Sequence, residues 1–557
     1  MAGNRRFATS LGAYLATALF VTSCAGDNGP PRSALDAITT GDLAAAIETL
    51  ASDEFEGRGP SSPGEDTTIA YISAQFEQLG LEPGNEGNFM QEVPLVSITA
   101  DSSSKLVVRG GNGTQRLAYR QDYMAWTKRV VPLAQIRNSE MVFVGYGVVA
   151  PEYHWNDYED IDVRGKTVVI LVNDPGFATQ DTALFNGNAM TYYGRWTYKY
   201  EEAARRGAAA ALIVHETEPA AYPWEVVAGS WSGPQFGLVS DDNNMSRVAI
   251  EGWITLASAR NIFAAASLSY DSLKSLAVDR SFKAVPMGLN ASVTLNNRVE
   301  RSVSHNVLGV LQGTDRADEF VVYMAHWDHF GRDPNLSGDQ IYNGAEDNAT
   351  GTAGLLQIAK AFASLEPRPS RSVLFLAVTA EEQGLLGSEY YASHPVYPPK
   401  KTVAAINMDV LNVLGPMRDI SVIGYGNSEL DNYLADAARV QNRVIRPDPN
   451  PEKGSYYRSD HFNFAKVGIP ALYADAGVDN IEHGEEWTHK QLDDYTANRY
   501  HKPTDEFNPD WDLSGAVQDL RLLFRVGYRL ANESTFPNWR EGTEFRAKRD
   551  AMMGGSH

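Results

Sequence analysis

The stretch from Phe320 to His329, with the sequence FVVYMAHWDH, decides the fold of this chain. Its first six residues form a near-continuous apolar run, which is typical of a strand buried on both faces of a sheet. The residues that follow include two histidines and one aspartate. Ligand-type side chains directly after a buried strand predict a functional site at the carboxyl end of a parallel sheet.

Other apolar runs of this kind lie on both sides of the stretch. A helix with one apolar stripe is predicted between two of them, from Ala349 to Ser364. Buried strands that alternate with helices predict an α/β fold, with a mostly parallel mixed sheet flanked by helices. The runs are Val307–Leu311, Val373–Val378, Val403–Ile406 and Ile469–Tyr473.

Residues that could bind a metal follow these strands or enter from nearby loops. Because the carboxyl ends of parallel strands meet at one edge of a sheet, we expect these residues to converge. Histidine nitrogens and carboxylate oxygens are ligands that zinc accepts at about 2.0–2.2 Å. The candidate metal ligands are His326, Asp347, Glu382, Asp409 and His501. Two carboxylate residues beside them, Asp328 and Glu381, are candidate catalytic residues.

Six short motifs in this order resemble the M28 family of zinc aminopeptidases: AHWDH, GAEDNATG, EEQGLLGS, NMD, SDHF with GIP, and YHKPTDE. The segment LASDEFEGR at 50–58 is also similar to the amino-terminal region of that family. The resemblance implies a zinc exopeptidase fold that binds two Zn²⁺ ions per chain. It places His326 and Asp409 on one zinc, Glu382 and His501 on the other, and Asp347 as a bridge between them.

The same resemblance makes Glu381 the general base and Asp328 the residue that orients His326. Physical reasons support these roles. Neighbouring side chains on extended backbone diverge, so Glu382 can bind metal while Glu381 faces the water. Asp328 is near enough in sequence to accept a ring N–H of His326. An alternative for Asp347 is that it only caps the Ala349 helix.

The expected activity is hydrolysis of peptide bonds through a water activated by two zinc ions, with release of amino-terminal residues. Two alternatives share the scaffold: a glutaminyl cyclase that transfers an acyl group, and an inactive binding ectodomain. The complete ligand set and Glu381 favour hydrolysis. The expected partners are peptide substrates. With 48 basic and 70 acidic residues, the chain lacks the positive charge that nucleic acid binding requires.

The first residues predict export. Arg5 and Arg6 precede an apolar run from Leu11 to Val21, as in a secretory leader. Small residues before Cys24 resemble a bacterial lipobox, so we expect a lipoprotein anchored to the cell envelope through Cys24, on its periplasmic or extracellular side. The alternative is an ordinary leader in which Cys24 is incidental. Because Cys24 is the single cysteine, no thiolate metal site or internal disulfide is possible.

Changes in composition along the sequence predict several domains and segments. Short strands with dense tyrosine and tryptophan from about residue 138 indicate an inserted domain, which resembles the protease-associated domain of M28 members. The predicted units are a signal peptide at 1–24, a tether at 25–36, a catalytic domain at 37–137 and 286–540, a smaller β-rich α/β inserted domain at 138–285, and a polar tail at 541–557.

Overall fold

The computed structural model of the chain describes residues 1, 29–101, 103–111 and 113–554. Cys24 and nearly all of the predicted signal peptide lie outside the described residues. Within the described part, none of the helices combines the length and the apolar character needed to cross a membrane.

The helices and strands alternate along much of the chain. The strands are β1 Glu82–Pro83, β2 Met90–Ala100, β3 Lys105–Gly110, β4 Gly113–Ala118, β5 Tyr123–Trp126, β6 Leu133–Phe143, β7 Val149–Ala150, β8 Trp155–Asn156, β9 Thr167–Leu171, β10 Ala210–His215, β11 Pro234–Leu238, β12 Ile250–Thr255, β13 Val285–Leu311, β14 Arg316–His326, β15 Gly331–Arg332, β16 Ile341–Tyr342, β17 Arg371–Val378, β18 Thr402–Asn407, β19 Asp419–Ile423, β20 Val444–Pro447 and β21 Ala471–Asp475. The helices are α1 Arg32–Asp36, α2 Thr40–Leu50, α3 Pro63–Gln78, α4 Pro175–Thr179, α5 Trp196–Arg205, α6 Thr217–Ala220, α7 Trp224–Ser230, α8 Leu256–Ala265, α9 Tyr270–Leu276, α10 Thr350–Ala363, α11 Leu386–Ser393, α12 Leu430–Val440, α13 His461–Lys466, α14 Glu485–Asn498, α15 Ser514–Asn532 and α16 Arg546–Met552.

Two sheets organise the molecule. The first sheet runs in the order β11-β2-β13-β17-β14-β18-β21-β19-β20, and its centre, β17-β14-β18-β21, is parallel. The second sheet runs in the order β4-β3-β13-β6-β9-β10-β12-β5, with parallel pairing from β6 to β12. The long strand β13 belongs to both sheets, pairing with β6 through its first half and with β17 through its last residues.

Helices cover both faces of the first sheet, as the apolar strands require. Side chains that alternate along β14 go to opposite faces: Tyr323 packs with the α10 and α15 side, and Met324 with the α11 and α13 side. A near-continuous apolar run is therefore buried on both faces. The predicted α/β class, a mixed sheet with a parallel centre flanked by helices, is confirmed.

The predicted elements lie close to the observed ones. The run Val373–Val378 falls inside β17, and the predicted helix Ala349–Ser364 is α10 with one residue fewer at each end. The run Ile469–Tyr473 becomes β21, which begins two residues later, at Ala471. The run Val307–Leu311 is only the end of β13.

Three boundaries differ from the predicted units. Helix α1 lies inside the predicted tether at 25–36, and its Leu35 is buried in the core of the first sheet. The core of the second sheet extends from Leu106 to Leu295 and so exceeds 138–285 on both sides, because β3 and β13 pair within that sheet. The predicted tail at 541–557 contains α16, whose buried Arg549 donates to backbone carbonyls at the start of β18.

A single buried arginine ties the amino-terminal segment to the loops of the first sheet. The guanidinium of Arg58 is 1% exposed and donates to the carbonyls of Trp327 (2.9 Å), Leu50 (2.7 Å), Asn343 (2.6 Å) and Gly344 (2.7 Å). Buried carbonyls that lose their donors cost free energy. Arg58 therefore fixes two loops that lie at the carboxyl edge of the sheet.

We predict that Arg58→Met lowers the free energy of unfolding by at least about 3 kcal/mol, because several buried acceptors lose their donor at about 1–3 kcal/mol each. Denaturant unfolding followed by circular dichroism measures the change. Arg32→Met is the matched control, since the Arg32 side chain is 93% exposed. A loss for Arg58→Met as small as that for Arg32→Met would contradict this role.

Candidate metal centre

Three parallel strands bring predicted donors to one edge of the first sheet. His326 is the last residue of β14 and lies beside Val378, the last residue of β17. Glu381 and Glu382 follow β17, and Asp409 follows β18. The carboxyl ends of neighbouring parallel strands meet at the same edge, so these side chains converge as expected.

Asp347 enters from the loop before α10. Gly344 has φ of 55° there, and a Cβ on it would lie 2.4 Å from the carbonyl oxygen of Asp347. The side-chain oxygen of Asn348 accepts the N–H groups of Gly351 (2.8 Å) and Val410 (3.1 Å), which ties this loop to the segment after Asp409. Asn348, not Asp347, thus makes the capping bond, and the Asp347 carboxylate is available for another role.

The five predicted ligands form two groups that share Asp347. Nε2 of His326 lies 3.2 Å from Oδ1 of Asp409 and 3.4 Å from Oδ1 of Asp347. Nε2 of His501 lies 3.2 Å from Oδ2 of Asp347 and 3.2 Å from Oε2 of Glu382. Asp347 therefore directs one oxygen to each histidine.

These distances are compatible with donor atoms arranged around a metal ion, although the contact between His326 and Asp409 also meets the geometry of a hydrogen bond. In a tetrahedral zinc site with bonds of about 2.0–2.1 Å, neighbouring donor atoms are about 3.3–3.4 Å apart. The four distances between 3.2 and 3.4 Å match that spacing. Hydrogen bonds from nitrogen to oxygen are most often about 2.9–3.0 Å long.

His501 differs from the other ligands in its exposure. Its side chain is 34% exposed, whereas that of His326 is 1% exposed. The Tyr500 ring stacks on the His501 ring, with 3.7 Å between centroids. The stacked ring restricts the orientation of an imidazole that comes from an exposed loop.

The buried carboxylates of this site repel one another, so burying them together costs free energy unless a cation lies among them. Burial, and then the neighbouring carboxylates, raise the pKa values of Glu381 and Glu382 well above their usual range. Burial also disfavours charge on His326 and Asp347, but the carboxylates around His326 raise its pKa, and bonds from His326 and His501 lower the pKa of Asp347. A positive charge placed among these carboxylates would therefore stabilise them.

Glu381 and Glu382 face different ways, but they lie in a turn and not on the extended backbone that the prediction assumed: the carbonyl of Glu381 accepts the N–H groups of Gly384 and Leu385. Glu381 offers an oxygen to a group with His326 and Asp409, whereas Glu382 belongs to a group with His329 and Asp347. Adjacent glutamates thus face different parts of the centre. Glu381 lies beside the His326 group without being one of its short contacts.

Asp328 acts differently from the prediction. Its Oδ1 lies 3.8 Å from Nδ1 of His326, beyond hydrogen-bond distance, and its backbone carbonyl oxygen lies closer, at 3.2 Å. The carboxylate instead accepts the backbone N–H groups of Glu381 (3.0 Å) and Glu382 (3.4 Å). Burial raises its pKa to about 6. Asp328 therefore positions the two glutamates rather than the histidine ring.

Asp505 is a positioning residue that the sequence interpretation did not single out. It is buried, and its two carboxylate oxygens accept the backbone N–H groups of Glu346 (3.0 Å) and Asp347 (3.1 Å). The available signal was its place in YHKPTDE, four residues after His501. Asp505 thereby links the His501 loop to the Asp347 loop.

His329 is a second residue that the prediction left out. It is fully buried, and its Nδ1 lies 2.6 Å from Oε1 of Glu382, although the alignment is not that of a hydrogen bond. Burial lowers the pKa of His329 well below its usual range, so the ring is neutral. The sequence feature that could have identified His329 is its place in the motif AHWDH, three residues after His326. His329 contacts Oε1 of Glu382, whereas His501 contacts Oε2, and the centroids of the two imidazole rings are 6.0 Å apart.

A cavity of about 640 Å³ opens beside this centre. Glu381, Glu382, Tyr500 and His501 line it. Trp126 of the second sheet also lines it, as do Val96 and Phe236 of the first sheet and Arg195, which precedes α5. The candidate site therefore lies between the two sheets.

Comparison with known proteins places this region in a family. Residues 306–524 match the profile of "Peptidase family M28". The aminopeptidase NAALADL1 of Mus musculus is 35% identical over 130 residues, which are 22% of this chain and 16% of that protein. The aminopeptidase YwaD of Bacillus subtilis is 28% identical over 195 residues, or 34% of this chain and 39% of that protein.

Among solved structures, the fold is similar to an aminopeptidase from Aneurinibacillus sp. strain AM-1, with 20% identity, a TM-score of 0.48, and coverage of 91% of this chain and 97% of that one. The chain spans less than two fifths of the length of the two curated relatives above. The region 306–524 contains every candidate metal ligand described here. This region of the chain is therefore similar to peptidase family M28.

Proposed function

We propose that the chain is a zinc-dependent metallopeptidase that releases amino-terminal residues from peptides. The observation that carries the proposal is the pair of donor groups around Asp347, with four donor distances between 3.2 and 3.4 Å. The match of residues 306–524 to peptidase family M28 supports peptide hydrolysis. Both curated relatives described above are aminopeptidases, which supports action at the amino terminus.

The residues present fit two zinc ions. His326 and Asp409 would hold one ion, His501 and Glu382 the other, and Asp347 would bridge both. All donors are nitrogen or oxygen atoms, which zinc accepts. When bound, two such ions about 3.5–4 Å apart lower the pKa of a shared water and polarise the carbonyl of the scissile bond.

The chain's own residues supply the proton transfers. A carboxylate oxygen of Glu381 accepts the proton of the attacking water. The same oxygen then gives the proton to the leaving amide nitrogen. Asp328 keeps the backbone of Glu381 fixed during both transfers.

The two alternatives predict different centres. A catalytically inactive ectodomain would be expected to have lost donors, yet all five converge here. A cyclase with one zinc does not need the second group, formed by His501 and Glu382 with Asp347. The arrangement therefore favours hydrolysis.

A peptide panel tests the proposal. The purified zinc-loaded protein should release the first residue from free peptides, should leave amino-acetylated peptides intact, and should lose activity with a chelator. Mass spectrometry of the products measures the cleavage position. Cleavage from the carboxyl end, or conversion of amino-terminal glutamine to a cyclic product without hydrolysis, would contradict the proposal.

We predict that Glu381→Gln keeps its zinc but loses turnover by about 10²–10⁴-fold, because general base catalysis contributes that much. Steady-state rates and elemental analysis measure the two properties separately. The matched control is Glu486→Gln, since Glu486 is a surface residue whose side chain is 87% exposed. Full turnover in Glu381→Gln would exclude Glu381 as the base.

We predict that Asp505→Asn weakens zinc binding by about 10–100-fold although it removes no ligand, because supporting residues of metal ligands typically contribute this much. An asparagine has only one side-chain oxygen, so one of the two N–H groups at Glu346 and Asp347 loses its acceptor. Competition with a chromophoric chelator measures the affinity. Asp162→Asn, an exposed aspartate in the second sheet's region, is the control. Equal affinities in both variants would refute the positioning role.

A further inference from the structure

An edge strand of the first sheet runs along the cavity beside the metal centre. Strand β11 pairs with β2 and with no other strand of the described residues, so one of its two long sides has no strand partner. Its residues from Gln235 to Leu238 line the cavity, as do Glu381 and His501. The unpaired side of a strand presents backbone donors and acceptors to which an extended peptide can add. The free side of β11 is therefore a candidate binding surface for a peptide.

The pairing of β2 shows which backbone groups of β11 point away from the sheet. Successive residues of an antiparallel strand direct their N–H and C=O groups to opposite sides. Asp101, which continues β2, donates its N–H to the carbonyl of Asn296 in β13 at 2.9 Å. Ser97 lies four residues earlier in an unbroken register, so its backbone groups also face β13. Phe236 lies opposite Ser97, and its N–H and C=O groups therefore point away from β2.

A contact at Leu238 agrees with this direction. Its carbonyl, two residues after Phe236 and thus on the same side of β11, accepts the side-chain N–H of Asn244 at 2.8 Å. Pro234, two residues before Phe236, has no N–H to offer. Within the described ranges, no loop or side-chain group forms a hydrogen bond with the N–H or C=O of Phe236. The residue is 37% exposed, so a peptide can reach both groups.

The Leu238 end of β11 adjoins the metal centre. The Leu238 side chain packs against the cluster that contains Ala380, the residue directly before Glu381. Phe236 lies two residues back along the strand, a distance of about 6–7 Å at about 3.3 Å per residue. A peptide whose amino terminus is at the metal centre would pass Leu238 first and Phe236 next. It would therefore run antiparallel to β11.

We propose that the peptide substrate adds to β11 as an antiparallel strand, and that one of its residues exchanges two backbone hydrogen bonds with Phe236. The inference rests on the proposed function, which places the amino terminus of the peptide at the metal centre. Because Phe236 is two residues beyond Leu238, the peptide residue opposite it is the third or a later one. The preferred substrates are thus extended peptides longer than a dipeptide. Their backbone is recognised at this point, whatever their side chains.

Methylated peptides test the contact without any change at β11. The set is the hexapeptide Leu-Ala-Ser-Ala-Ser-Ala-amide and four derivatives, each with one methyl group on the backbone nitrogen of position 3, 4, 5 or 6. Calorimetry with the zinc-loaded Glu381→Gln variant measures binding without hydrolysis. Methylation at one position should weaken binding about 5–20-fold, because it removes a hydrogen bond and blocks the approach to β11. Methylation at the neighbouring positions should change the affinity less than about twofold, because their N–H groups point the other way.

A proline substitution assigns the contact to β11. In the same background, Phe236→Pro removes the N–H and places a ring against the incoming strand, at an edge position where proline is tolerated. The unmethylated hexapeptide should bind about 5–20-fold more weakly, and the effect of the methyl position should disappear. Phe236→Ala is the matched control: it removes the side chain but keeps the N–H, so the effect of the methyl position should persist. Circular dichroism and zinc content establish that both variants are folded.

Three outcomes would overturn the inference. In the first, methylation at positions 3 to 6 has the same effect throughout. In the second, the dependence on position survives in folded Phe236→Pro. In the third, sedimentation shows a dimer that dissociates on Phe236→Pro but not on Phe236→Ala, which would mean that β11 pairs with a second copy of the chain.

Rates measured with Glu381 restored separate this failure from failure of the proposed function. If the unmethylated hexapeptide loses its first residue but the methyl position has no effect on binding, only the contact with β11 is wrong. If neither the hexapeptide nor Leu-Ala-amide is hydrolysed, the proposed function is wrong.

Discussion

Buried carboxylates repel one another unless a positive charge lies between them, and this constraint governs the carboxyl edge of the first sheet. Burial and mutual repulsion raise the pKa values of Glu381 and Glu382, while His326 and His501 lower that of Asp347. Two histidines alone do not offset so many acids in a low-dielectric site. Divalent cations bound by these donors would offset the negative charges. The same carboxylates therefore destabilise the chain without a metal and form a metal site when a metal is bound.

Buried side chains hold the backbone of the loops that carry the candidate ligands, and this positions the ligand side chains. Asp328 holds the N–H groups of Glu381 and Glu382, and Asp505 holds those of Glu346 and Asp347. Arg58 then fixes the carbonyls of the two loops that carry His326 and Asp347. The burial of Arg58 lowers its pKa to about 10, and nearby carboxylates keep it charged. Two buried acids and one buried base thus fix the backbone of the loops that carry the candidate ligands.

Apolar runs revealed the central strands because burial on both faces leaves few polar positions, as in β14 and β17. The candidate ligands could be predicted because they follow those strands. The direction of the Asp328 carboxylate could not be predicted, because its partners are the backbone N–H groups of Glu381 and Glu382 and not the nearby ring of His326. Asp505 and Arg58 lie in the motifs YHKPTDE and LASDEFEGR, but their roles could not be predicted because the loops that they hold are far away along the chain. Strand β13 was predicted only at its apolar end, because the polar residues from Asn296 to His305 resemble a loop until β2 pairs with them.

The proposed metal centre requires that Asp347 lies between two metal positions. Anomalous diffraction from a zinc-soaked crystal, recorded above and below the zinc absorption edge, tests this directly. The account predicts two peaks about 3.5–4 Å apart, one beside His326 and Asp409 and the other beside His501 and Glu382, each about 2.0–2.2 Å from an oxygen of Asp347. A single peak, or peaks that do not contact Asp347, would contradict it.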